Sequence, residues 1–158
     1  MARNEIPTYV TGQLVTAAHG NTYWRDNEAA HWAKILDNFE RFMVVPVFGS
    51  SVPISIGDGK RYFTMPMDVT LKSADAGTLV VVSTDGDITV ALYNVTKAEE
   101  VLSTLITVEE GARNSYGSAT PSVVLNGDID EGDLLRVDVD GAGVGAKGLD
   151  SFLVVERR

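Results

Sequence analysis

Cysteine is absent from the 158 residues, so neither a disulfide nor a thiolate metal site can hold this chain together. Histidine is scarce. His19 and His31 stand twelve positions apart and cannot form an H-E-x-x-H zinc site. Basic residues are outnumbered, 13 against 22 acidic ones, which leaves a formal charge of −9. That balance argues against a nucleic-acid surface, which needs clustered lysine and arginine. It suits a surface kept soluble by self-repulsion. No apolar run is long enough to insert in a membrane, and residues 1–5 are too polar for a signal peptide. Synthesis in a cytoplasm is the expectation. No G-x-S-x-G occurs, and no serine has a histidine partner in a shared β-framework, so nucleophilic catalysis has no support.

What the chain does have is one stretch with helical character, residues 16–43. Thr16 is a good N-cap. Ala17, Ala18, Ala29, Ala30 and Ala33 favour helix, and no proline intervenes before Pro46. Trp32, Leu36, Phe39 and Met43 fall at steps of four, three and four, and Ile35 and Phe42 widen that stripe. Such a rod would be about 42 Å long. It exceeds what a small β-region can cover, so Trp24, Trp32, Ile35, Leu36, Phe39, Phe42 and Met43 are candidates for self-association. The alternative is an ordinary helix folded back on a sheet of its own chain. Residues 2–15 alternate apolar positions but are broken by Pro7 and Gly12, which gives an extended arm. Ile6, Tyr9, Val10, Leu14 and Val15 are its candidates for docking to a larger particle.

After Met43 the composition turns to β-branched residues, so the expected division is an arm and helix over 1–43 and a β-domain over 44–158. Short β-prone runs follow at 52–56, 61–65, 69–72, 78–84, 88–95, 102–108, 122–125, 134–139 and 151–155, separated by turn residues. The run 78–84 is almost wholly apolar and is expected to lie centrally. Asp85-Gly86 signals a hairpin. The glycine-rich stretch 138–145 reads as a second one, not as a phosphate loop, because no helix pattern follows it. The fold class expected is mainly β: an antiparallel, jelly-roll-like sandwich preceded by the arm and one long helix.

Candidates for chemistry are few. The carboxylate pairs Asp85/Asp87 and Asp128/Asp130 sit in turns, where aspartate bonds its own backbone. Asn126, Asp128 and Asp130 have the spacing of a hard-cation loop, yet Gly132 comes one position late and the twelfth position is Val137. An EF-hand is excluded; a looser calcium site near Asp128 and Asp130 is the alternative to a plain turn. Arg113, Asn114 and Tyr116, in the longest loop, are the candidate ligand-binding residues for a sugar. The chain is expected to be no enzyme and to carry no cofactor or resident metal.

Tyr9-Val10-Thr11-Gly12-Gln13-Leu14-Val15-Thr16-Ala17-Ala18, followed by Asn21 and Arg25-Asp26-Asn27, resembles a recurrent opening of small tailed-bacteriophage virion proteins, W-x-x-G-E-V-V-T-A-A-x-x-N-x-x-x-R-D-N. Tyr9 replaces the usual tryptophan and Gln13 the usual acid, and the helix is longer. The later run Gly132-Asp133-x-Leu135-x-Val137 is similar to a late strand of their jelly-roll heads. The resemblance implies a non-enzymatic virion component, often trimeric, attached through its N-terminal region to other virion proteins, with a β-head facing outward. A tail fibre or receptor-binding head would meet a host surface glycan; a capsid decoration or head-fibre protein would not need to. A stand-alone carbohydrate-binding module is the more distant alternative.

Overall fold

The computed structural model of the chain describes residues 40–77 and 80–158, and Glu40–Arg158 is one compact unit. Of the expected helix, residues 16–39 lie outside the described residues, as does the arm with Ile6, Tyr9, Val10, Leu14 and Val15. So do Trp24, Trp32, Ile35, Leu36 and Phe39. Its expected last turn is a correction. Phe42 and Met43 stand in strand β1 (Glu40–Pro53), not in a helix. The local reason is a period of two. Met43 and Val45 turn inward while Phe42 and Val44 are exposed, and the run Val44-Val45-Pro46-Val47 cannot continue a helix. The boundary expected after Met43 falls inside this strand.

The strands that follow are β2 (Gly57–Thr64), β3 (Val69–Gly77), β4 (Ile88–Asn94), β5 (Glu99–Glu100), β6 (Leu102–Thr104), β7 (Ile106–Val108), β8 (Val123–Val124), β9 (Asp128–Ile129), β10 (Leu134–Ala142) and β11 (Lys147–Arg157). All pairings are antiparallel. One sheet has the order β1-β11-β3-β9; the other has the order β2-β10-β4-β5, with β7 also on β4. β6 and β8 form a separate small pair. The first long strand therefore pairs with the last, the second with the last but one, and the third with β9. Pro46 and Pro53 are tolerated because β1 is an edge strand.

One hydrophobic cluster draws on both sheets. Leu71, Ala74, Leu149, Leu153 and Val155 come from the four-stranded sheet, and Ile88, Val90, Leu92, Leu135, Val137 and Val139 from the other. From Leu149 on, alternation along β11 is strict: Leu149, Ser151, Leu153 and Val155 are buried, whereas Asp150, Phe152, Val154 and Glu156 are only partly so.

Three expectations are corrected. The run 78–84 is no central strand: of its described residues Val80 is exposed and Val81 makes only a single bridge, to Lys147. Its chain is used to receive the turn after β10, with Thr84 N–H donating to Val144 O (3.0 Å) and Val144 N–H to Asp85 O (2.9 Å). The stretch 138–145 is no hairpin, because β10 and β11 belong to different sheets. Gly143 makes that crossing feasible: its φ is +60° and a Cβ there would lie 2.3 Å from Ser83 Oγ. The run 102–108 is split into β6 and β7, which go to different sheets.

Candidate functional site

The two longest strands of the four-stranded sheet, β1 and β11, are apolar on two faces, and only one face can point into the core. β11 carries Leu153 and Val155 inward and Phe152 and Val154 outward; β1 carries Val45 inward and Phe42 and Val44 outward. Register sets Phe42 opposite Val154 and Val44 opposite Phe152. The Phe42 and Phe152 rings stack at 5.6 Å with 19° between planes. Tyr116 extends the row, its ring stacked on Phe152 at 6.5 Å and 13°. Phe42 and Tyr116 remain 58% and 57% exposed. Exposed, stacked rings on an otherwise acidic protein make this face a candidate interaction surface.

The loop bearing Tyr116 is fastened to this sheet. Asn114 bridges Gly77, and Ser115 N–H donates to Ala76 O at 2.8 Å. Ser115 Oγ accepts from Ala76 N–H (3.0 Å) and donates to Asp75 Oδ1 (2.9 Å). Asn114 Oδ1 accepts from Tyr116 N–H, which fixes the turn. Partial desolvation, and then the Asp75 carboxylate, push the half-exposed Tyr116 hydroxyl above its ordinary pKa. Of the residues expected to meet a sugar, Asn114 thus serves the turn and Tyr116 belongs to the aromatic row. Phe152 and Val154 were not among the candidates, although their signal was present: Phe152-Leu153-Val154-Val155 is apolar at consecutive positions, which a strand with one solvated face is not.

The loop after β9 resolves the cation question differently. Asp130 Oδ2 lies 3.0 Å from Lys97 Nζ, and Oδ1 pairs with Arg158. Arg158 also reaches Asp128 at 3.8 Å. Side-chain ammonium and guanidinium groups therefore stand against these carboxylates. Among the described residues no group of three or more His, Cys, Asp or Glu is arranged to hold a metal ion. Lys97 first, then Arg158, hold the Asp130 carboxyl below the usual range.

Asp133 is the buried member of this network. Burial alone would raise its pKa; hydrogen bonds from Asn94 Nδ2 (2.8 Å) and Asp130 N–H (3.0 Å), with Lys97 beside it, outweigh that and hold it low. A depressed folded value stabilises the fold above the unfolded aspartate value of about 3.9 and is lost as pH falls through the folded one. Asp133→Asn is therefore expected to cost about 1–3 kcal/mol at neutral pH. It should also flatten the acid limb of a plot of urea midpoint against pH. An unchanged acid limb would show that other groups set it.

The third organised surface is the outer face of the other sheet. Tyr62, Arg136 and Tyr93 stand opposite one another on β2, β10 and β4. The Arg136 guanidinium lies 4.8 Å from the Tyr93 ring centroid and is gripped by Asp138. Comparison with known protein families, with curated sequences and with solved structures finds no match.

Proposed function

We propose that this chain is a non-enzymatic structural protein of a bacteriophage virion surface, a homotrimer whose N-terminal region attaches it to other virion proteins and whose β-domain is displayed as a jelly-roll sandwich head. The observation that carries self-association is the two-faced apolar character of β1 and β11. Copies of the chain meet through Phe42, Val44, Phe152, Val154 and Tyr116, so Phe42 keeps its assigned role on a strand instead of a helix. The jelly-roll reading rests on strand order. β1 and β11, then β2 and β10, then β3 and β9, then β4 and β5 pair in turn, and successive pairs alternate between the two sheets. A chain folded double and rolled up gives that sequence of pairs, and the architecture recurs in viral capsid and lectin domains. The N-terminal resemblance supplies the phage assignment.

Within this reading a tail-fibre or receptor-binding head is preferred to a capsid decoration or head-fibre protein, because the sheet opposite the apolar face carries an organised polar and aromatic row. The mechanism is mass action between preformed surfaces: three arms on one trimer add weak contacts through effective concentration. Labelling the protein on intact particles tests the assignment. Density at the tail tip or baseplate is expected; a regular array on the capsid would favour decoration, and absence from particles would end the virion reading.

A further inference from the structure

We infer that the outer face of the β2-β10-β4-β5 sheet is a binding platform for a neutral saccharide, centred on Tyr62 and Arg136. The inference rests on the reading of this domain as a receptor-binding head and names the surface that would make the contact. The outward residues of this sheet form a chain of contacts across three strands. Gly59, at φ +65°, leaves the space in which the Tyr62 ring lies: a Cβ there would fall 2.6 Å from Tyr62 Oη and 2.8 Å from Cε2. The same Gly59 donates its N–H to Asp138 Oδ1 at 2.6 Å. Asp138, only 5% exposed although it shares its face with Arg136, accepts from Arg136 Nε (2.9 Å) and Nη2 (2.7 Å) on its other oxygen. That grip lays the guanidinium over Tyr93.

Two consequences follow for a ligand. Tyr62 is half exposed yet seated, so a ring stacking on it costs little side-chain entropy. Nη1 is the Arg136 nitrogen that none of these contacts uses, and Asp58 Oδ2 lies 3.8 Å from Nη2, so a donor and an acceptor stand side by side next to an aromatic face. A pyranose presents that complement: a C–H face for the ring and vicinal hydroxyls that both donate and accept. Charge selects the class. Asp138 already neutralises Arg136, and Asp58 and Glu100, the latter opposite Tyr93, offset Lys60 and Arg61 of β2 on a chain of net −9. No excess of cations is left to draw an anionic sugar.

The full chain is titrated with short cello-, malto-, manno-, galacto- and chito-oligosaccharides, followed by tyrosine-ring NMR shifts, with a heparin oligosaccharide as the anionic probe. Saturable binding of at least one neutral series is expected, weakened about tenfold or more by Tyr62→Ala and kept by Tyr62→Phe. No binding by any neutral series, binding by the anionic probe alone, or affinity indifferent to Tyr62→Ala would overturn the inference. A trimer located on particles that binds none of these sugars leaves the virion reading standing and ends this one. A monomer absent from particles whose sugar binding depends on Tyr62 does the reverse.

Discussion

Leu153→Ala is expected to lower the unfolding free energy by about 3–5 kcal/mol. Leu153 is fully buried on β11, which lies between β1 and β3, so its removal opens a cavity lined from both sides of the core. Strands on either side are tied into ladders and cannot collapse far into the gap, which places the cost toward the upper part of the range for leucine truncations. Single domains of this size hold only about 5–15 kcal/mol, so the variant should unfold at a much lower urea concentration with little change in slope. A midpoint shift worth less than about 1 kcal/mol would mean that Leu153 is not in the core.

The residue before it gives the opposite result. Phe152 points outward from the same strand, and the double variant Phe42→Asp, Phe152→Asp should leave the domain folded but abolish self-association. Two aromatic contacts at the centre of an interface are worth about 2 kcal/mol or more each, so dissociation constants should rise about a thousandfold. The carboxylate at position 152 would also face Asp75 across the ladder and stand two residues along the strand from Asp150. Burial already holds the Asp150 carboxyl above its ordinary range, so added negative charge there is unfavourable. Thermal unfolding reads out the difference. The unaltered protein should gain stability with concentration, as coupled assembly requires, and the variant should not. Loss of the far-ultraviolet β-signal in the variant would place Phe42 and Phe152 in the fold and not at an interface.

Much of the β-domain was legible in the residues. Alternation located β4 and β10 closely, but the hairpin expected at Asp85-Gly86 does not form among the described residues, since β4 pairs with β10, β5 and β7 and not with the run before it. Two failures have physical causes. Helical spacing over Leu36, Phe39 and Met43 competed with a period-two pattern over Met43, Val45 and Val47. From Glu40 on, the ladder to β11 decides the contest, because strand pairing is set by partners far away in sequence. The apolar run 78–84 misled for a similar reason: apolar content alone does not say whether neighbours exist to pair with it. Strand β9, two residues in an acidic turn, had no signal of its own and is held by Val69 and Thr70 of β3.

The candidate sites were less legible because each is assembled across strands. Tyr62, Arg136 and Tyr93 are widely separated along the chain and meet only through register. Tyr116 was recognised as exposed and aromatic, but its stacking on Phe152 depends on the Ser115 and Asn114 anchors to β3. What the residues did offer was β11 itself, whose consecutive apolar positions call for cover on both sides.

Sedimentation equilibrium of the unaltered 158-residue chain, across a range of concentrations, bears most directly on that demand. Three times the mass of a single polypeptide, falling to one in the Phe42→Asp, Phe152→Asp variant, is the outcome expected if sister molecules shield the aromatic row. A single-chain mass at every concentration would contradict it and leave that row uncovered by any copy of itself.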